Sequence, residues 1–124
     1  MDATIGITLD CIDIVAVAAF WRDALGYEEP QPVFADTQFH GLLCPDGRGG
    51  LHHLTLQRVD EHKAAKNRAH LDLFVNDAEE EVERLVRLGA SVLARHEGYY
   101  VTTVMGDPEN NEFCVVQRPK PRAR

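Results

Sequence analysis

The sequence predicts an α+β fold in which one small module is written twice, and three observations predict it. Leu9–Asp10–Cys11–Ile12–Asp13 opens a helical stretch that closes at Leu25–Gly26, and Leu73–Phe74–Val75–Asn76–Asp77 opens another that closes at Leu88–Gly89. Each stretch runs on into alternating, strand-like segments. The repeat of about sixty residues is too long for a solenoid unit, so two modules share one domain. The space between two such copies is a natural place for a ligand.

In the first half, Thr4 to Cys11 reads as a strand, with Ile5, Ile7, Leu9 and Cys11 alternating against Gly6, Thr8 and Asp10. Asp13 can cap a helix to Leu25, in which Val17, Phe20, Trp21 and Leu25 recur at helical spacing and Gly26 supplies the stop. After Pro30 and Pro32, Val33–Ala35 and Gln38–Cys44 read as strands. Pro45 to Gly50 is a turn rich in glycine, and Leu51–Arg58 is a further strand. Val59 to Lys66 is polar without a turn cluster and reads as the connector, with room for a short helical turn.

The second half repeats the order. Ala69–Val75 alternates. Asp77–Ala78–Glu79–Glu80 fits a capping box, and Glu79, Glu80 and Glu81 sit where the helix dipole favours negative charge. Val82, Leu85, Val86 and Leu88 form the expected buried stripe. Ser91–Arg95, Tyr99–Met105 and Glu112–Gln117 read as strands, with Asp107 to Asn111 as a tight turn. Each half is thus a strand, a helix and three strands. The modules cover about residues 4–58 and 69–117 of one domain spanning 1–124, with a basic tail at 118–124.

Composition bounds the function. A chain of 124 residues can bury a core without staples, and 44% apolar with 27% charged residues is ordinary globular usage. A net charge of −7 argues against a nucleic-acid surface. The tail from Arg118 to Arg124 is the one basic run and reads as a solvated terminus. No signal peptide or membrane-length apolar run is present, and Cys11, Cys44 and Cys114 lack zinc-type spacing. The expectation is a cytoplasmic protein with reduced thiols.

Strand alternation leaves one face of each strand turned from its helix. That face gathers Asp10, His53, Gln57, His70, Asp72, Phe74, Glu112 and Cys114. A polar concave face with a few aromatics suits a small-molecule cleft. His70 can serve as a general acid or base, since imidazole titrates near neutral pH, or can be a histidine satisfied by a carboxylate. Asp72 lies two strand residues away, about 7 Å, which requires a bend before the two can pair. Glu112 can accept a proton or pair with Lys66 or Arg68. His52 and His53, as strand neighbours, should point to opposite sides. Cys114 can be a nucleophile only with a lowered pKa and is otherwise a small core thiol. His40, Tyr99 and Tyr100 can line a mouth or pack. No phosphate loop, nucleophile elbow or dinucleotide fingerprint occurs.

Phe20–Trp21–Arg22–Asp23–Ala24–Leu25–Gly26, His70–Leu71–Asp72–Leu73, Leu88–Gly89–Ala90 and Asp107–Pro108–Glu109–Asn110–Asn111–Glu112–Phe113 lie in an order that resembles the vicinal oxygen chelate superfamily. This is the glyoxalase, bleomycin-resistance and dioxygenase group. Gln57–Arg58–Val59 and Lys66 to Leu73 resemble its glyoxalase-like bacterial subgroup. The resemblance implies two βαβββ modules forming a curved mixed sheet around a cleft, often in a homodimer. Metal-binding members carry ligands on the first and fourth strands of each module. Those positions fall here on Gly6, Gln57, His70 and Cys114, a poor set for a divalent ion, so no metal or other cofactor is expected.

The sequence therefore leads to a glyoxalase-like protein that binds a small metabolite, with no nucleic-acid or membrane partner. If it is an enzyme, the expectation is lyase or isomerase proton transfer with His70 and Glu112 as catalytic residues. Gln57, Asp72, Phe74, Cys114, His53 and Asp10 would bind the substrate. The alternatives are a sequestering module of the bleomycin-resistance type and a degenerate domain kept for association.

Overall fold

The computed structural model describes residues 3–46 and 48–119. Gly47 of the predicted turn and Lys120 to Arg124 of the predicted tail lie outside the described residues. The chain divides into two units, residues 1–62 and 63–124.

The first unit contains β1 (Gly6–Cys11), α1 (Ile14–Leu25), β2 (Phe39–Leu43) and β3 (His53–Arg58). β1 runs parallel to β3, and β2 pairs antiparallel with the other edge of β3, giving the order β1-β3-β2. The helix starts where the sequence says it should: Asp13 accepts a hydrogen bond from the Ala16 N–H. It stops at Gly26, whose φ of 64° is a left-handed conformation that costs glycine little. Val17, Trp21, Leu42, Leu54 and Leu56 are buried, and Phe20 packs edge-on against Trp21 with ring centroids 5.1 Å apart. Ile5 departs from the expected alternation. It precedes β1 and is 69% exposed.

No strand forms at Val33–Ala35. A single bridge joins Glu28 to Leu43 instead, with N–O distances of 2.8 and 2.9 Å. Pro30 and Pro32 supply no N–H, so the ladder cannot extend past that bridge. The connector forms no helical turn.

The second unit contains β4 (Leu71–Val75), α2 (Ala78–Leu88), β5 (Ser91–Glu97), β6 (Val101–Gly106) and β7 (Glu112–Gln117). β4 is parallel to β7, and the remaining pairs are antiparallel, in the order β4-β7-β6-β5. Asp77 caps α2 by accepting from the Glu80 N–H at 3.1 Å. Leu85 is fully buried, but Val86, one residue and about 100° further round the helix, is 45% exposed and leaves the predicted stripe.

The α+β class and the two helices stand as expected, with two open sheets. The full strand–helix–three-strand order appears only in the second unit. Among the described residues, no helix is long and apolar enough to cross a membrane.

Candidate functional site

β4 is the strand that presents chemistry. Its residues alternate, with Leu71, Leu73 and Val75 half-buried and Asp72 and Phe74 exposed. The parallel register sets Asp72 beside Cys114 and Phe74 beside Val116 on β7, and Cys114 beside Val104 on β6. α2 packs on β7 from the other side, where Phe113 and Val115 are buried. Asp72 and Cys114 therefore share the face turned away from α2.

His70 joins them from just outside the strand. Its Nδ1 lies 3.1 Å from Oδ1 of Asp72, with the two side chains 42% and 43% exposed. The strand distance that separates residues two apart does not apply, because β4 begins only at Leu71. The chain bends before it, and the pairing that an extended strand would prevent is made. The Cys114 thiol also lies against Asp72. Burial pushes that thiol's pKa up, the Asp72 charge and a hydrogen bond to its carboxylate push it further, and Lys66 opposes them. Cys114 is therefore a protonated thiol at neutral pH and not an activated nucleophile.

Glu112 takes a different part. One carboxylate oxygen accepts from the backbone N–H of Asn67 at 2.8 Å, and the other lies 3.1 Å from Nζ of Lys63. Burial alone would raise its pKa, but the Asn67 N–H and the Lys63 ammonium outweigh it and hold the carboxyl below its ordinary value. The partner is Lys63 and not Lys66 or Arg68. Both oxygens are engaged, which suits an anchor for the segment leading to His70 better than a proton acceptor.

β7 is itself placed by the turn before it. Asp107 is buried, and its carboxylate accepts from the backbone N–H groups of Glu109 and Asn111 and from the Asn111 side-chain amide. Asn110 has φ 64°, the left-handed conformation that asparagine tolerates.

The first unit places its predicted residues in two groups. Asp10 and Gln57 are register partners on β1 and β3, whereas His53 is opposite Gly6 at the far end of the same pair. His52 and His53 do not point apart. His52 precedes β3, and the two Nδ1 atoms lie 2.6 Å from each other. His40 is buried, with Nε2 2.9 Å from Glu29, whose other oxygen is bonded by Arg22. It holds the first unit together and lines no mouth. Phe74 meets Tyr100 edge-on at 6.3 Å, and Tyr100 meets Tyr99 at 4.9 Å, an exposed aromatic row beginning one step along β4 from Asp72.

A glyoxalase-like domain model matches residues 6–116. The chain belongs to the glyoxalase-like domain family. The fold of this glyoxalase-like chain is that of the vicinal oxygen chelate superfamily, as its structural neighbours show. One is a glyoxalase/bleomycin resistance protein/dioxygenase family enzyme from Burkholderia phytofirmans, at 20% identity over 93% of this chain and 98% of that one, TM-score 0.72. Another is a lactoylglutathione lyase from Agrobacterium tumefaciens, at 20% identity over 94% of both chains, TM-score 0.65. A third is a mutant of the fosfomycin resistance protein FosX from Listeria monocytogenes, complexed with Mn(II) and a dihydroxypropylphosphonic acid. It is 17% identical over 96% of this chain and 92% of that one, TM-score 0.74. No curated protein matches the chain.

His70, Asp72 and Cys114 each offer one ligand atom, and these atoms all lie within 4.8 Å of one another. An imidazole nitrogen, a carboxylate oxygen and a sulfur are an acceptable trio for a first-row divalent ion, so the residues fit. The sequence-based expectation of no metal rests on Gly6, Gln57, His70 and Cys114. That set does not include Asp72. Held by these three residues, such an ion would supply Lewis-acid polarisation of a ligand oxygen.

A separate cavity of about 560 Å³ lies between the start of α2 and the sheet, lined by residues including Glu79, Val82, Arg95 and Thr103. It is on the α2 side and reaches none of the candidate substrate-binding or catalytic residues named from the sequence. Size alone does not make it the chemical site, and the cluster around Asp72 has the convergent polar groups that chemistry needs.

Proposed function

We propose that the protein binds a small polar metabolite on the face of the second unit that carries His70, and moves a proton on it. The reaction class is isomerase- or lyase-type proton transfer at a carbon beside a carbonyl. The observation that carries this reading is the 3.1 Å approach of His70 Nδ1 to Asp72. An ionised carboxylate only accepts hydrogen bonds, so the proton of a neutral ring belongs on Nδ1. The lone pair then belongs to Nε2, on a side chain that solvent and ligand can reach. Asp72 orients the ring and stabilises the imidazolium that forms when Nε2 takes a proton. Phe74 and Tyr100 offer apolar contact beside it. The family membership and the lyase and resistance proteins among its structural neighbours support a small ligand.

The test starts from a compound screen and identifies the substrate class as it proceeds. Small carbonyl metabolites are first screened for thermal stabilisation of the protein. Those that bind are then incubated with it in D2O, and loss of the C–H signal beside the carbonyl is followed by proton NMR. The expected result is exchange with the wild type and at least about a hundredfold slower exchange with His70→Ala, which matches the usual contribution of a general base. Asp72→Asn should slow exchange while leaving binding nearly intact. Tight binding with no exchange in the wild type would make this a sequestering protein and overturn the proposal. So would undiminished exchange in His70→Ala.

A further inference from the structure

We infer that the cavity between α2 and the sheet of the second unit binds a small amphipathic organic ammonium, on the face opposite to Asp72. Its volume of about 560 Å³ is within the range that holds a small ligand. Every lining residue belongs to the second unit.

Sheet register builds the cavity floor. Thr103 is the register partner of Val115 on β7 and of Arg95 on β5, so it shares their face, the one that α2 covers. A regular strand would turn Val92 and Arg95, three residues apart, to opposite faces. The register shift between Val92 and Ala94 inserts one residue, and both side chains line the cavity.

Thr103 points to an occupant. It is 6% exposed, and its hydroxyl has no hydrogen-bond partner among the described residues. Of the fully enclosed side-chain atoms described, Arg58 Nε is the one without a partner, so the Thr103 oxygen is not enclosed and opens to the cavity it lines. A hydroxyl held there gains from any ligand that supplies the missing hydrogen bond.

The charges choose the sign of the ligand. Glu79 and Glu83 lie one helical turn apart on the cavity wall, and neither carboxylate has an ion pair or hydrogen bond among the described residues. Arg95, the cation in the lining, is already paired with Glu97 at 3.2 Å. The start of α2 is capped as well, with Gln117 accepting from the Ala78 N–H and Asp77 from the Glu80 N–H. An anion would meet two unpaired carboxylates, whereas an ammonium gains both. Val82, Val92 and Val101 offer apolar surface to the body of such a ligand. The chain's net charge of −7 attracts a cation at long range. The site shares no residue with the proton-transfer proposal and stands or falls apart from it.

The probe is tryptamine, which combines an ammonium, an apolar indole and a ring N–H for the Thr103 oxygen. The full chain is titrated with it and amide shifts are followed by NMR. The expected result is saturable binding with Kd of about 1 mM or tighter, ordinary for a ligand of this size, and the largest shifts at residues lining the cavity. Tryptophol, the neutral alcohol, and indolepropionate, the anion, should each bind at least about tenfold more weakly. Glu79→Gln combined with Glu83→Gln should weaken tryptamine at least about tenfold, and Thr103→Val, which keeps the shape, at least about threefold. Asp72→Asn should bind tryptamine as wild type does. Circular dichroism checks each fold, and if Thr103→Val does not fold, the pair of exposed glutamates decides alone. No saturable shift at the cavity overturns the inference. So does an alcohol or acid that binds as tightly as the amine, or binding that survives intact in the glutamate pair or in folded Thr103→Val. Loss of binding in Asp72→Asn would place the amine on the other face and overturn it too.

Discussion

Glu112→Gln separates an anchoring carboxylate from a catalytic one, and the structure sets the size of the effect. The substitution removes the charge but keeps a carbonyl oxygen that can still accept from Asn67. A hydrogen bond to a charged group contributes about 1.5–3 kcal/mol and a neutral one about 1, so this part of the loss is about 1 kcal/mol. The Lys63 pair adds about 1 kcal/mol at most, because the Lys63 side chain keeps part of its contact with water, which screens the pair. The expected total at neutral pH is about 1–2 kcal/mol of destabilisation in urea unfolding. Lys63→Met should lose only the smaller share. The sign with pH follows from the depressed pKa of Glu112 in the folded protein. Its contribution is present in full above the ordinary glutamate value and is lost as pH falls through the lower, folded value. The difference between wild type and variant should therefore be largest near pH 7 and shrink through the acid range. A difference that persists undiminished in acid would refute the reasoning. So would a variant more stable than wild type at pH 7, which would mean that the carboxylate is held against folding for use.

Asp107→Ala removes a buried acceptor of three hydrogen bonds and should cost about 2–4 kcal/mol in urea unfolding, and a loss under about 1 kcal/mol would show that the turn holds itself. Phe113→Ala should cost about 3–5 kcal/mol, because the ring is fully buried, whereas exposed Phe74→Ala should stay within about 1 kcal/mol. Equal losses would contradict the assignment of the two strand faces. In timed alkylation at neutral pH, part-exposed Cys44 should be labelled well before Cys114, whose pKa is raised by burial and by Asp72. Faster labelling of Cys114, read by peptide mass spectrometry, would mean that a thiolate is stabilised there.

Local signals in the chain were enough for the elements that depend on them. Both helices begin at the aspartates and end at the glycines that the spacing marks, because capping and left-handed stops act within one turn. The strands whose two faces differ in polarity were legible for the same reason, and β7 has the predicted bounds. Val33–Ala35 looked like a strand, but no ladder partner meets it, and Phe34 instead exchanges hydrogen bonds with Thr37 in a local turn. Tertiary packing likewise overrode periodicity at Val86, and a β3 that begins only at His53 leaves His52 outside the strand and puts the two imidazoles together.

For the candidate site, sequence alone determined the donors and their face. His70, Asp72 and Cys114 all follow from period-two alternation, which local sequence specifies. Only the tertiary structure decided which of them meet. Register across the parallel β4–β7 pair, whose strands are separated by α2, β5 and β6 in sequence, sets Asp72 against Cys114. The bend before Leu71 brings His70 within reach of Asp72. Glu112, which the sequence left as a proton acceptor or an ion-pair partner of Lys66 or Arg68, is tied to Lys63 and the Asn67 backbone. The physical reason is range: capping and alternation are fixed by neighbours a few residues apart. A contact between side chains some forty residues apart depends on how whole strands align, and no local pattern encodes that alignment.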